Sequence, residues 1–202
     1  MRKMLFQITA IVGILGYLTS PTAFGQTSQV EFPPTGGVVI LYAHDAQLAT
    51  LSFTDGKSGM TMKDHEIYNR DSHLAFEIYD KNNLRVGIQG LERGSIVDLG
   101  SGDELEARYG YRETVGKSQG FASIHREAGK LVIFQDRQKH TFQPLKEAAL
   151  LDKTEEMTSA PVLVGHIYLV RISQAETETV SAKLRVLAFT PGQSVTIRWE
   201  RL

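Results

Sequence analysis

The chain has 202 residues, 42% hydrophobic and 22% charged, with 18 glycines and no cysteine. These are globular proportions, which argue against a disordered chain, and the length suits one domain with its own core or two small ones. A formal net charge of −1 gives no electrostatic reason to expect nucleic acid or an anionic membrane surface as partner, and the lack of cysteine excludes disulfides and thiol chemistry.

The N-terminus carries an address. Arg2 and Lys3 form a positive n-region, Met4 to Leu18 an apolar stretch broken only by Gln7 and Thr9, and Ser20-Pro-Thr-Ala-Phe-Gly25 a small-residue c-region. That order predicts a secretory signal peptide over residues 1–25, with Ala23-Phe24-Gly25 as the recognition triplet and cleavage before Gln26. The apolar run is shorter than the ~20 residues a spanning helix needs, so no membrane span is expected after cleavage. Removal of Arg2 and Lys3 leaves 20 basic against 23 acidic residues, a net charge of −3. The expected location is secreted or periplasmic.

Residues 26–37, punctuated by Pro33-Pro34 and Gly36-Gly37, read as a linker or leader strand. A single β-rich domain is expected over residues 38–202. Val38-Val-Ile-Leu-Tyr-Ala43 is a continuous apolar run, consistent with a strand buried on both faces. Leu48-Ala-Thr-Leu-Ser-Phe53 leads to a turn at Thr54-Asp-Gly-Lys57. His73-Leu-Ala-Phe-Glu-Ile-Tyr79 alternates, and Asp80-Lys-Asn-Asn83 turns it into Leu84-Arg-Val-Gly-Ile-Gln89. Gly94-Ser-Ile-Val-Asp-Leu-Gly100 reads as a short strand. Residues 100–120, rich in glycine and charge, read as the longest surface excursion.

Phe121-Ala-Ser-Ile-His125 and Leu131-Val-Ile-Phe-Gln135 flank the turn Ala128-Gly-Lys130 as a hairpin. The stretch from Leu145 to Met157 alone has helix-forming composition, so at most one short helix is expected, near residues 145–157. The last forty residues read as three consecutive strands. In Ser181-Ala-Lys-Leu-Arg-Val-Leu-Ala-Phe189 the apolar Ala182, Leu184, Val186 and Ala188 share one face. In Thr190-Pro-Gly-Gln193 the proline presets φ and the glycine supplies the positive φ of a type II turn. Val195-Thr-Ile-Arg-Trp199 returns with Val195, Ile197 and Trp199 together.

The segments Gly165-His-Ile-Tyr-Leu-Val-Arg-Ile172, Lys183-Leu-Arg-Val186 and Pro191-Gly-Gln-Ser-Val-Thr-Ile-Arg-Trp199 resemble the C-terminal part of a group of uncharacterised exported bacterial β-rich proteins. Leu51-Ser-Phe-Thr-Asp-Gly-Lys-Ser58, His65-Glu-Ile-Tyr68, Gly94-Ser-Ile-Val-Asp-Leu-Gly100 and Phe142-Gln-Pro-Leu-Lys-Glu-Ala148 fit the same group. The resemblance implies an exported β-rich module and carries no activity and no catalytic residues. Many short strands separated by turn residues predict an all-β fold, an antiparallel sandwich or open barrel.

Three motifs fail on their context. Gly56-Lys-Ser58 ends like a phosphate-binding loop, but Leu51 stands where that loop needs glycine. Asp80-Lys-Asn-Asn83 begins like a calcium loop, but Arg85 occupies the sixth position, where glycine is required. Gly116-Lys-Ser-Gln-Gly120 matches a nucleophile elbow literally, yet a strand follows it where an elbow needs a helix. Paired carboxylates such as Asp103-Glu104 are adjacent and solvent-facing, unlike an acid–base pair.

Two candidate sites are left. His44, Asp64, His65, Glu66 and His73 are the densest collection of metal-ligand types, and a divalent metal site there requires three or four of them to converge on one ion. Tyr109 and Tyr111, in the glycine-rich excursion, are candidates for binding a protein or glycan, since loops on a rigid sheet gather binding residues. The first expectation is therefore an exported, non-catalytic module, without cofactor, that binds a protein or glycan or serves a structural part at the cell envelope or outside. The alternative is a metal-dependent protein or enzyme built on the histidine-rich region.

Overall fold

Alternating side chains and short, turn-bounded segments produce a structure whose described residues lie mostly in antiparallel strands. The computed structural model describes residues 35–45, 48–58, 61–63, 66–68, 72–78, 80–88, 92–110, 124–128, 130–136, 141–152, 157–174 and 177–202. In chain order these form β1 (Gly36–Tyr42), β2 (Thr50–Leu51), β3 (Thr61–Lys63), β4 (Glu66–Tyr68), β5 (Leu74–Phe76), β6 (Asn83–Val86) and β7 (Glu92–Ser101). Then come α1 (Gly102–Tyr109), β8 (Ile124–Glu127), β9 (Lys130–Asp136), β10 (Thr141–Pro144), a 3₁₀ helix (Lys146–Asp152) and β11 (Ser159–Pro161). The chain ends with β12 (His166–Gln174), β13 (Thr177–Thr190) and β14 (Ser194–Arg201). The fold is all-β, and its sheets are open rather than closed into a barrel.

The largest sheet has the order β1-β14-β13-β12-β7. Its interior strand β12 is buried on both faces: Tyr168, Val170 and Ile172 point one way, Ile167 and Leu169 the other, and none exceeds 1% exposure. On the first face these residues share a core with Leu51, Phe53, Phe76, Leu84 and Val86, most of them from the four-stranded sheet β11-β6-β5-β2. On the second they share a core with Leu105 of α1, Ile124 and Ile133 of the sheet β10-β9-β8, and Leu145 and Leu151. Apolar burial on both faces is therefore what holds the large sheet in place.

Glycine permits two strand backbones to touch. Where β6 ends and β7 begins, a Cβ added at Gly94 would lie 2.8 Å from Gly87 Cα and 2.8 Å from Val86 C. The two strands thus cross backbone to backbone. Carbonyls of adjacent residues bridge them: Met157 accepts from the Ile96 N–H at 2.7 Å and Thr158 from the Val86 N–H at 2.9 Å.

The C-terminal hairpin forms, but Leu187 is the extra residue of a bulge, so Ala188 leaves the face that Ala182, Leu184 and Val186 share and Phe189 packs against the core instead. The Gln193 N–H donates to Thr190 O at 3.0 Å, and Gly192 has φ +69°. Glu77 fixes this turn from outside, its Oε1 accepting from the Gly192 N–H at 3.2 Å and the Asn82 N–H at 3.0 Å. The hairpin β8–β9 pairs Ile124–Glu127 with Lys130–Ile133, while Phe121, Ala122 and Ser123 of the expected first strand lie outside the described residues.

Two elements differ from expectation. The apolar run after Gly37 is an edge strand exposed on one face, not a strand buried on both. The glycine-rich excursion begins with a helix, α1, which has a capping box: Ser101 Oγ accepts from the Glu104 N–H, and the Glu104 carboxylate accepts from the Ser101 N–H. Gly110, at φ 65°, closes it as a left-handed cap. The region near 145–157 holds the 3₁₀ helix Lys146–Asp152.

Candidate functional site

Of the residues singled out in the sequence, the structure describes the side chains of His44, His73 and Tyr109. His44 is exposed just after β1 with φ 63°. His73 is 4% exposed; its Nδ1 accepts the Phe53 N–H at 2.9 Å, and its ring stacks on Phe53 with centroids 5.7 Å apart and planes 3° from parallel. That nitrogen serves a buried backbone donor and is taken from any metal. Glu66 stands in β4, while its side chain, Asp64 and His65 lie outside the described residues, as does Tyr111. Among the described residues, no three His, Asp or Glu side chains gather as a metal site.

Tyr109 is buried in the last turn of α1. Its hydroxyl donates to Glu147 Oε2 at 2.6 Å and accepts from the Lys146 N–H at 3.3 Å. Burial, then the bond to Glu147, pushes its pKa up. The ring belongs to a core and the hydroxyl to an internal bond, so Tyr109 is held as an anchor between α1 and the 3₁₀ helix.

A polar cluster that no sequence motif announces joins β7 and β12. His166 Nδ1 lies 3.0 and 3.1 Å from the two carboxylate oxygens of Asp98, 68 positions away in the chain. Register places them together. Between β7 and β12, Ile167 faces Gly100 but Tyr168 faces Asp98, so Leu99 is the extra residue of a β-bulge, a device that re-aims neighbouring side chains. Asp98 Oδ1 also accepts the Gly100 N–H at 2.7 Å. Beside the pair, Glu104 accepts the Ser101 N–H at 2.7 Å, which, as the largest effect, holds its carboxyl below the ordinary value. Arg108 bonds to Leu99 O and to Glu147.

Such an aspartate orients an imidazole and leaves its Nε2 for proton transfer. Ser101, the register partner of His166, has its hydroxyl engaged as the helix cap. The cluster therefore reads as a tie joining the bulge, α1 and the 3₁₀ helix.

The remaining candidate is a surface. Val38, Ile40 and Tyr42 are 60%, 46% and 44% exposed on the outer face of β1, while Leu41 is buried and Val39 packs against the core from the inner face. Among the described residues β1 pairs only with β14, in unbroken register from Gly36↔Glu200 to Tyr42↔Ser194. Among the described residues no strand lies on its other edge. Arg198 lies beside Val38, and Arg185 beside Arg198, on the same outer face. Comparison with protein-family models, with curated proteins and with solved structures finds no match to this chain.

Proposed function

We propose that the protein is an exported, non-catalytic β-rich module that works by binding, and that the edge of β1 turned away from β14, which carries no strand among the described residues, is its binding surface. One observation carries this reading. The seven residues Gly36–Tyr42 contain no charge, proline or register shift, and three large apolar side chains on the strand stand open. Monomeric β proteins blunt such edges with lysine, proline or bulges, because a flat apolar edge templates another strand. An edge left in this state fits strand addition, in which backbone hydrogen bonds supply affinity and alternate side chains supply specificity. The occupant is a protein partner contributing an extended segment with apolar residues at every second position. Export is supported by the signal-like residues 1–25 and by the resemblance to exported proteins.

Amide hydrogen exchange tests the proposal directly. Extended peptides of alternating apolar pattern, including one of sequence Gly36–Tyr42, should slow exchange at the β1 amides that point away from β14. Replacing Val38 and Ile40 together by lysine should abolish that protection while the melting temperature holds. If no peptide protects these amides, or the double variant binds as well, the edge is not the binding surface. Concentration-dependent sedimentation separates a second copy of the chain from a foreign strand.

A further inference from the structure

Backbone groups alternate along an antiparallel strand: one residue turns its N–H and C=O toward the neighbouring strand, the next turns them away. Thr35 O accepts the Arg201 N–H at 2.7 Å, and the Ala43 N–H donates to Gln193 O at 2.7 Å. The odd-numbered positions of β1 therefore serve β14, and Gly36, Val38, Ile40 and Tyr42 turn outward. Tyr42 is already engaged, its N–H donating to Leu48 O at 3.2 Å. Ahead of the strand stand Pro33 and Pro34, which have no N–H to give. Gly36, Val38 and Ile40 are left, and among the described residues no strand receives their groups.

These three residues are symmetric about Val38. We propose that the occupant of this edge is a second copy of the chain, its β1 paired antiparallel with the first across a two-fold axis at Val38. This rests on β1 being the binding surface and adds the partner and the register. Val38 faces Val38 of the second copy, and Gly36 and Ile40 face each other in both directions, so every outward N–H and C=O of the three meets its complement. The side chains fit the same register. On the outer face the two Val38, each 60% exposed, cover one another, and Ile40, 46% exposed, lies over the bare backbone of Gly36. On the inner face Val39 falls opposite Gly37. The strand holds no charge, so no like charges oppose the pairing at the seam. Sliding the two-fold to Val39 would set Gly36 against Tyr42, whose N–H is spent. A two-fold pairing consumes this edge in both copies, so assembly through it closes at a dimer.

The chain has no cysteine, so single cysteines report the register. Val38→Cys meets its counterpart on the axis at a Cα separation of about 5.5 Å, within disulfide range. Ile40→Cys has its counterpart about 14 Å along the seam, too far to bridge. Under mild oxidation the first should give a disulfide-linked dimer and the second should not. Sedimentation of the wild type should show a concentration-dependent dimer, and Val38→Lys, at an exposed position, should raise its dissociation constant by about tenfold or more. A wild type that stays monomeric at about 1 mM overturns the second copy as occupant. So does equal cross-linking of the two cysteine variants, or a dimer indifferent to Val38→Lys. Where such a result comes with peptide protection of the β1 amides, the edge stays the binding surface and its occupant is foreign; without that protection the edge itself falls as well.

Discussion

Gly100 and Glu104 share one volume. A Cβ at Gly100 would fall inside the contact distance of the Glu104 carboxylate, with Glu104 Cδ 3.3 Å and Arg108 Nη2 3.3 Å away. Gly100 also has φ +94°. The bulge thus requires glycine twice, once for its backbone and once to admit the capping carboxylate of α1.

Gly100→Ala should therefore destabilise the fold by about 2 kcal/mol or more, the strain of a positive φ plus the displaced carboxylate. Glu104→Ala removes the obstructing group, so the double variant should be less destabilised than the two single losses added together. Urea unfolding of the four proteins checks this. Strict additivity would mean that the two residues do not compete for space.

Acid should act through the same carboxylate. The pKa of Glu104 is lowered in the fold, first by the Ser101 N–H and then by the Ser101 side chain. A depressed carboxylate contributes stability that is complete above its unfolded value, ~4.3 for glutamate, and is lost as pH falls through the lowered folded value. Glu104→Gln keeps an oxygen for the Ser101 N–H and loses the titration. The stability difference between wild type and Glu104→Gln should shrink as pH falls below that ordinary value. Parallel profiles down to the acid limit would remove Glu104 from the acid response.

The parts of this fold legible in the sequence are those set by neighbours in the chain. The hairpin around Pro191-Gly192 forms because its turn residues agree with the alternation of Val195, Ile197 and Trp199. Ser101 and Glu104 stand three apart before Gly110, a readable capping box, but the density of glycine nearby reads as loop and hides the helix. The remainder depends on distant pairing. An apolar run without alternation cannot reveal whether its strand has one neighbour or two, so Val38–Tyr42 reads as interior although it is an edge. Asp98 and His166 meet only through the register of β7 on β12 and its bulge, which leaves no trace near either residue.

Gly94→Ala tests the crossing of β6 and β7. The atoms it would meet belong to the backbone at Gly87 and Val86 and cannot rotate away, so the strands must separate. Loss of about 3 kcal/mol is expected, at the upper end of overpacking effects. Gly102→Ala, at a position where nothing lies within 4 Å of the added Cβ, is the control and should change stability little. Similar stability for both variants would show that the crossing is free to adjust.

His73 is best tested by a change that keeps its stack. His73→Phe retains a ring against Phe53 but leaves the Phe53 N–H without the Nδ1 acceptor, and a buried orphaned donor costs about 1–3 kcal/mol. Denaturant unfolding should show that loss. Wild type and variant should then respond alike to added divalent cations. A metal-dependent rise in melting temperature that His73→Phe abolishes would instead assign His73 to a metal site.

Lys183 is a fully buried cation whose Nζ lies 3.5 Å from Glu200 Oε2, and Glu200 is itself about a third exposed. Geometry limits this pair: Glu200 Oε2 makes no hydrogen bond, so the attraction is through space. Removing one member of a buried pair is harmful because it strands the other charge, whereas replacing the charge by a well-packed apolar chain is often neutral or better. Solvent at Glu200 tempers the effect, so Glu200→Ala should cost about 1–2 kcal/mol. The double variant Lys183→Met with Glu200→Ala should recover part of that loss, because the ammonium that faced Glu200 is then removed as well, although Lys183 also has a partner besides Glu200. Thermal unfolding of the two variants and the wild type decides the point. A double variant less stable than Glu200→Ala alone would show that the Lys183 ammonium holds the core together through partners other than Glu200.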